Sequence, residues 1–342
     1  MSTIKIINPG LLTTIQDKGR WGYQKFGMSV AGVMDDFATR ISNMLVGNDE
    51  YEAVLETTLL GVEILFNCDE VIAITGSNMS PQINGNPVPM WTSLLVKSGD
   101  RLSSSGAISG LRGYVAFSRG LDVPEIMGSK STFTRGNLGG FQGRKLAKND
   151  EIKLGKKELS SSGSYLPDSY KPAYMKDNTI RVVLGPQDDF FDKEAIKVFA
   201  NSVYTITSEA DRMGYRLDGP KINHIEGADI VSDGVVFGSV QVPGHGSPII
   251  MMADRQTTGG YTKIATVITP DLSKLAQMSP GTTMNFEMVT VDESHSIYKE
   301  YEKQFKEISK FIKDNKFEFS QIRNLELSIN GKSFNVGIRE VE

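Results

Sequence analysis

The chain contains few of the residues on which several common functions depend. Its 342 residues include one cysteine, Cys68, and three scattered histidines, His224, His245 and His295. A single cysteine cannot form an internal disulfide, so a disulfide framework is excluded. No group of His, Cys and Asp residues has the spacing of a metal site, and the sequence therefore predicts no metal centre.

Long apolar runs and strong net charge are also lacking. No run reaches the roughly eighteen apolar residues that span a membrane, and the alternating start "MSTIKIINPG" lacks the apolar stretch of a signal peptide. The net charge of -4 argues against the concentrated basic surface that nucleic-acid binding requires. We therefore expect a cytoplasmic protein that binds neither membranes nor nucleic acid.

Glycine is abundant and separates many short apolar runs. Thirty-four glycines are spread along the chain, and long helical periodicity is rare. Apolar runs bounded by Gly, Asn, Pro or Asp predict strands, and Asn84 to Pro87 predicts a tight hairpin turn. The predicted strands cover 62–66, 71–76, 93–102, 113–120, 179–185, 203–207, 229–243, 247–253, 261–268 and 282–289. The pattern predicts a mainly β protein.

Three segments have helical periodicity instead. Residues 35–46 carry an apolar face, with Asp35 placed to cap the helix and Gly47 to end it. A second helix is predicted over 188–199 and a third over 296–315, where Lys and Glu face an apolar stripe. Beyond the third helix, alternating residues around Asn330 and Gly331 predict a hairpin.

The two halves of the chain share a similar order of strands and turns. The segments "LLVKSGDRLSS" and "LAQMSPGTTMNF" illustrate the parallel, which favours two similar β-barrel lobes. Ser, Lys, Tyr and Pro are concentrated between them, as in a linker. We predict a first lobe over 1–160, a linker over 161–178, a second lobe over 179–292, and a C-terminal helix and hairpin over 293–342.

Two segments resemble phosphate loops but lack the required spacing. "GSKST" at 128–132 has Ser129 where the motif needs lysine, and "NGKS" at 330–333 has no glycine at the required distance before it. The sequence therefore does not predict a self-contained ATP site of that type.

Four polar, glycine-rich segments carry most of the candidate site residues. They cover 16–38, 128–144, 185–191 together with 209–219, and 239–261. Glycine lets the backbone approach a ligand, and arginine suits a carboxylate or phosphate. Each segment alone is also typical of barrel loops with surface ion pairs. Together they favour a site for a small anionic molecule, with His245 as the one histidine whose setting suits acid–base chemistry.

The same segments carry a resemblance to a known family. "LETTLLG", "ITGSN", "GSKST", "GGFQGR", "GPQDDFF", "DRMGYRLDG" and "QVPGHGSPIIMMADRQTTGGY" follow in order between about residue 4 and residue 290. They resemble the biotin-dependent carboxyltransferase-like family, which includes the KipA-type C subunits of 5-oxoprolinase and the second domain of the urea carboxylase carboxyltransferase region. The resemblance implies two cyclophilin-like β-barrel lobes.

The resemblance also implies a function, partners and cofactors. It implies that the chain is one component of an ATP-dependent 5-oxoprolinase, which opens 5-oxo-L-proline to L-glutamate. The chain would be inactive alone and would act with a KipI-like B subunit and a LamB/YcsF-like A subunit. ATP with Mg would bind to the complex, on this chain or on a partner, and would activate the lactam by phosphorylating its oxygen. The alternatives are a biotin-dependent carboxyltransferase component for urea or a similar amide, and a KipA-type regulator that binds a KipI-like kinase inhibitor. No Ala-Met-Lys-Met motif is present, so no covalently attached biotin is expected.

The resemblance assigns expected roles to individual residues. Asp233, His245, Asp254 and Arg255 are expected to be catalytic. Arginines would bind anionic groups, and Asp254 or Asp233 would orient a proton-bearing group or an arginine. A lactam would form hydrogen bonds with Gln187, Gln241 and Tyr261. The expected substrate-binding residues are Gln187, Arg212, Arg216, Gln241, Pro243, Gly246, Pro248, Thr257, Thr258, Gly260 and Tyr261. Lys130, Ser131, Thr132 and Arg144 would form a secondary glycine-rich site. Ser247 and Lys130 depart from the family, which often has Gln and Arg at these positions.

Overall fold

The computed structural model describes residues 2–174, 176–315, 323–329 and 332–338. Strands make up most of the regular structure in this part of the chain, with a few helices between them, which confirms the prediction of a mainly β protein. No helix in these ranges is both long enough and apolar enough to cross a membrane.

The first half forms two sheets that pack around one core, which we call the N-terminal lobe. One sheet has the order β11-β1-β4-β9-β6-β7 and the other the order β2-β3-β10-β5-β8, with Ile4, Phe66 and Phe117 in the core between them. The strands are β1 (Thr3–Asn8), β2 (Leu12–Gln16), β3 (Val54–Thr58), β4 (Glu63–Phe66), β5 (Glu70–Asn78), β6 (Gln82–Ile83), β7 (Asn86–Pro87), β8 (Ser93–Val96), β9 (Arg101–Ser103), β10 (Ser109–Phe117) and β11 (Glu151–Lys153).

The second half forms a closed seven-stranded barrel with the order β12-β19-β16-β17-β14-β13-β20. A two-stranded ribbon, β15 paired with β18, extends from it. The strands are β12 (Thr179–Leu184), β13 (Val203–Ile206), β14 (Gly214–Asp218), β15 (Asp229–Gly234), β16 (Ser239–Gln241), β17 (Ile249–Met251), β18 (Thr258–Tyr261), β19 (Lys263–Val267) and β20 (Thr283–Met288).

Several predicted elements have different bounds in the structure. The run 229–243 is not one strand, because it is divided into β15 in the ribbon and β16 in the barrel. The run 93–102 is not one strand, because β8 and β9 are separated by a turn in which Asp100 Oδ2 accepts a hydrogen bond from the Lys97 N–H at 2.7 Å. The helix predicted over 188–199 begins later, as α2 (Lys193–Asn201), because Asp192 caps it by accepting from the Ala195 N–H. The hairpin predicted at 84–87 is confirmed by the pairing of β6 with β7.

The remaining helices join the two halves. The predicted helix at 35–46 is confirmed as α1 (Asp36–Leu45), capped by Asp35, and the tail helix as α4 (Val291–Asp314). The sequence pattern missed α3 (Thr269–Ala276). The Phe37 N–H of α1 donates to Ser273 Oγ of α3 at 3.1 Å, and Met34 packs into the core of the barrel. The first turn of α1 therefore connects the N-terminal lobe to the barrel.

The C-terminal strands β21 (Arg323–Ile329) and β22 (Lys332–Ile338) pair antiparallel, which confirms the predicted hairpin. Asn330 and Gly331, at its predicted turn, lie outside the described residues. The predicted domain boundaries stay a prediction. Within the predicted linker, Leu166 N–H donates to the Trp91 carbonyl at 2.9 Å, so this segment lies against the N-terminal lobe.

Candidate functional site

A cleft of about 780 Å³ lies between the N-terminal lobe, the barrel and α4. We call it the interlobe cleft. The loop 18–34 and Tyr51 line it from the first half of the chain, residues 234–237 and Arg255 line it from the second, and Tyr298 and Glu302 line it from α4. Because it is formed from three distant parts of the sequence, this cleft could not be located from any one motif.

Arg255 is the buried cation on the wall of the interlobe cleft. Its side chain follows β17, and only 5% of the residue is exposed. Its Nε donates to the Val235 carbonyl at 3.0 Å and its NH1 group to the Met252 carbonyl at 3.4 Å. No carboxylate among the described residues lies within 4 Å of the guanidinium, and burial lowers the pKa of Arg255 to about 10. The remaining hydrogen-bond donors are therefore available to a ligand.

Arg212 has the opposite environment, because two carboxylates surround it. Its Nε and NH2 groups donate to the two oxygens of Asp254 at 3.1 and 2.9 Å, and NH1 pairs with Glu56 of β3. NH2 also donates to the Gly32 carbonyl at 2.6 Å. Burial alone would lower the pKa of Arg212, but the charges of Asp254 and Glu56 raise it above its ordinary value. We call Glu56, Arg212 and Asp254 the interlobe ion cluster, and its contacts occupy every nitrogen of Arg212.

Local backbone pairing explains why Arg212 and Asp254 meet. Gly214 pairs with Met251 across β14 and β17, and the ladder continues as Met252 N–H donates to Met213 O and Asp254 N–H to Arg212 O. This register brings residues that are 42 positions apart into contact at one end of the barrel. The cluster then reaches the N-terminal lobe through Glu56.

A buried polar network continues from the interlobe ion cluster into the N-terminal lobe. Tyr114 Oη donates to Glu56 Oε2 at 2.9 Å and accepts from the Asp35 N–H at 2.8 Å. The Asp35 carboxylate accepts from Gln277 Nε2 of the barrel half and from Tyr174 Oη, each at 2.7 Å. Burial raises the pKa of Asp35. These contacts fix the two halves relative to each other around the cleft.

The predicted secondary glycine-rich segment folds onto the carboxylate of Asp17. Asp17 Oδ1 accepts from the Ser129 hydroxyl at 2.6 Å and from the Ser131 hydroxyl, and Oδ2 accepts from the Lys130 N–H at 2.6 Å. Thr132 is buried, and its hydroxyl and N–H both donate to the Ile15 carbonyl. The donors that would hold a phosphate in a phosphate loop are thus already bound to the Asp17 carboxylate and the Ile15 carbonyl.

The charged side chains of that segment are also paired. Lys130 Nζ lies 2.7 Å from Glu52 Oε1, and Arg144 binds both oxygens of Asp150 at 2.7 and 2.9 Å. The segment therefore does not fit the triphosphate of ATP. Within the described ranges, no group of three or more His, Cys, Asp or Glu side chains is placed to hold a metal ion such as Mg.

Three predicted residues meet around a lysine that the sequence reasoning missed. Lys263 is 2% exposed, and its Nζ donates to Asp233 Oδ2 at 2.8 Å. Gln187 donates to the same oxygen at 3.3 Å and accepts from the Lys263 N–H at 3.2 Å. Gln241 lies directly opposite Lys263 across β16 and β19, and its buried Nε2 has no hydrogen-bond partner among the described residues. The only signal for Lys263 was its place in a predicted strand.

The turn after β16 is held by backbone hydrogen bonds, within the turn and from neighbouring segments. Gly246 N–H donates to the Pro243 carbonyl at 2.8 Å, and the Pro248 carbonyl accepts from Leu217 N–H at 3.0 Å. His245 is exposed, and its Nδ1 accepts from the Ser247 N–H at 3.2 Å. No side chain of this turn lines the interlobe cleft.

The other predicted substrate residues are distributed between the cleft, the ribbon and the barrel surface. Thr257 lines the cleft. Thr258, Gly260 and Tyr261 belong to strand β18 of the ribbon, where Thr258 pairs with Gly234 and Tyr261 with Asp229. Arg216 is exposed on β14 and pairs with the exposed carboxylate of Glu209 at 3.0 Å. The predicted site residues thus lie in at least three places, and only Arg255 and Thr257 of them line the interlobe cleft.

The two-lobed region of the chain matches a class of carboxyltransferase-type proteins. The family model "Carboxyltransferase domain, subdomain A and B" matches residues 26–288. The chain belongs to this carboxyltransferase domain family.

Curated and solved relatives agree with this assignment. The chain is 36% identical over 308 residues to the 5-oxoprolinase C subunit of Escherichia coli, covering 90% of this chain and 97% of the relative. It is 34% identical to the 5-oxoprolinase C subunit of Haemophilus influenzae, covering 90% of this chain and 98% of the relative. The crystal structure of Kluyveromyces lactis urea carboxylase matches with a TM-score of 0.84 at 31% identity, covering 90% of this chain but only 29% of that one.

Proposed function

We propose that the chain is the C subunit of an ATP-dependent 5-oxoprolinase, which opens 5-oxo-L-proline to L-glutamate in the cytoplasm. The observation that supports this most is the identity of 34–36% to two proteins named as 5-oxoprolinase C subunits, along 97–98% of their length. A protein named as one lettered subunit of an enzyme implies partner subunits in a complex. We propose a KipI-like B subunit and a LamB/YcsF-like A subunit as these partners, and we propose that the chain is inactive without them.

Within this proposal the interlobe cleft is the reaction site on this chain. Arg255 contacts the substrate, whereas the interlobe ion cluster positions the two walls of the cleft. ATP and Mg do not bind at the glycine-rich segment 128–144 in this proposal, because its donors are committed to Asp17 and to other carboxylates. No covalently attached biotin takes part.

The test is reconstitution from purified subunits. The chain, the KipI-like subunit and the LamB/YcsF-like subunit are mixed with ATP, Mg and 5-oxo-L-proline, and both ADP and glutamate are measured. We expect glutamate and 5-oxoproline-dependent ADP only when all three subunits are present. A complete mixture that assembles and yields no glutamate would contradict the proposal.

A biotin-dependent carboxyltransferase component is the second candidate. The TM-score of 0.84 to Kluyveromyces lactis urea carboxylase favours it, although the matched part is only 29% of that chain. This candidate predicts transfer of a carboxyl group between carboxybiotin and urea or a similar amide. Carboxylation of urea by the chain in the presence of free carboxybiotin, without ATP, would support it over the oxoprolinase proposal.

A further inference from the structure

The acidic residues on the walls of the interlobe cleft share one cation, Arg40, which also pairs with Glu50 at 2.7 Å. Asp36 and Glu302 both line the cleft, and Arg40 pairs with Asp36 at 3.5 Å and with Glu302 at 2.7 Å. Lys18 and Arg255 line the same cleft, and no carboxylate of the described residues lies within 4 Å of either cation. Lys18 and Arg255 are therefore cations of the cleft that have no carboxylate partner within the described chain and can pair with an anionic ligand.

Arg255 presents hydrogen-bond donors as well as charge. A guanidinium carries five N–H donors, and two backbone carbonyls account for the bonds that Arg255 makes within the described chain. The guanidinium carbon lies 5.6 Å from the centre of the Phe237 ring, which also lines the cleft. A planar fork with free donors, held in place by its neighbours, suits two oxygens of one anion.

Much of the rest of the cleft is aromatic or apolar. Trp21, Tyr51 and Tyr298 line it and are 58%, 38% and 43% exposed, respectively, although large aromatic side chains are usually more buried. Val235 and Leu272 add aliphatic surface. A ligand that matches these walls has an anionic end and a flat or apolar remainder.

The geometry points to an oxyanion site in the interlobe cleft, in which Arg255 and Lys18 bind a carboxylate or phosphate group whose attached body lies against the aromatic walls. The identity of the anion, as the carboxylate of 5-oxo-L-proline or a phosphate of ATP, rests on the proposed function. The existence of the site does not, because it follows from the charges and donors of this chain.

The test is direct binding to the isolated chain and to the assembled complex, by isothermal titration calorimetry. The probes are 5-oxo-L-proline, 2-pyrrolidinone, which has the lactam but no carboxylate, and inorganic phosphate. The variants are Arg255→Gln, Arg255→Lys and Lys18→Gln. Arg101→Gln is the matched control, because Arg101 is exposed in the N-terminal lobe, pairs with Glu63 and does not line the interlobe cleft. Circular dichroism establishes that each variant is folded.

We expect wild type and Arg101→Gln to bind 5-oxo-L-proline or phosphate alike, and 2-pyrrolidinone to bind to neither. Arg255→Gln should weaken binding by about tenfold or more, because a charged bidentate contact is lost. Arg255→Lys should restore part of the affinity, and Lys18→Gln should reduce it by a smaller factor. Stronger binding of 5-oxo-L-proline than of phosphate would identify the carboxylate as the ligand, and the reverse order would identify the phosphate.

Two results would overturn the site. One is unchanged anion binding by a folded Arg255→Gln variant, and the other is the absence of anion binding by both the wild-type chain and the wild-type complex. Anion binding that depends on Arg255, in a complex that yields no glutamate, would contradict the proposed function and leave the anion site standing.

Discussion

The interlobe ion cluster allows a sharp prediction about stability. In Arg212→Met, the carboxylates of Glu56 and Asp254, which are 1% and 5% exposed, lose the cation that they share. Breaking a buried ion pair from one side typically costs about 3–5 kcal/mol, because the remaining charge stays buried without a partner. We therefore expect the free energy of unfolding to fall by about 3–5 kcal/mol.

The assay is urea unfolding followed by tryptophan fluorescence and circular dichroism, with Arg216→Met as the control. Arg216 is also a barrel arginine paired with a glutamate, but its side chain is 53% exposed, so its loss should cost less than about 1 kcal/mol. The triple variant Glu56→Leu/Arg212→Met/Asp254→Leu should regain much of the loss, since none of the three charges of the cluster remains. If Arg212→Met destabilised the chain no more than Arg216→Met does, the cluster would not hold the two halves together as argued.

Two further predictions concern α4 and the barrel. Phe305→Ala should lower the free energy of unfolding by about 3–5 kcal/mol, because Phe305 is 1% exposed and packs beneath the guanidinium of Arg40. The control is Phe26→Ala, at an exposed site, which should change the free energy of unfolding little in the same urea titration. Burial lowers the pKa of His224 below its ordinary value of 6.5. The neutral ring therefore contributes stability above about pH 6.5, and this stability is lost as the pH falls through the pKa of the folded state. His224→Gln should flatten the decrease in thermal stability between about pH 7 and pH 5, and an unchanged slope, equal to that of the exposed-site control His295→Gln, would contradict this.

The sequence predicted those elements whose signals are local. Helix α1 has both an apolar face and the capping residue Asp35, and α4 has a long amphipathic stripe, so both were found. Helix α3 was missed because its eight residues follow directly on strand β19 and are too few to establish a helical period. The start of α2 was misplaced because Asp188 and Asp189 offer the same capping chemistry as Asp192, the residue that the structure uses.

The candidate site was less predictable, because its contacts are between distant residues. The sequence placed Arg212 and Arg255 in one class of anion-binding arginines. In the structure Arg212 is bound by Glu56, which lies 156 positions away, whereas Arg255 has only carbonyl partners within the described chain. Lys18 and Trp21 reach the same cleft as Arg255 only through the packing of the two halves. No local pattern distinguishes a committed arginine from one that is free to bind a ligand.

The central claim is that Arg255 in the interlobe cleft acts on the substrate of a 5-oxoprolinase complex. It is tested most directly by the kcat/KM for 5-oxo-L-proline of the reconstituted three-subunit complex, with wild-type, Arg255→Ala and Arg101→Gln chains. We predict that Arg255→Ala lowers kcat/KM by about tenfold or more without unfolding the chain or releasing the partners, while Arg101→Gln matches wild type. An assembled Arg255→Ala complex with the wild-type kcat/KM would contradict the claim.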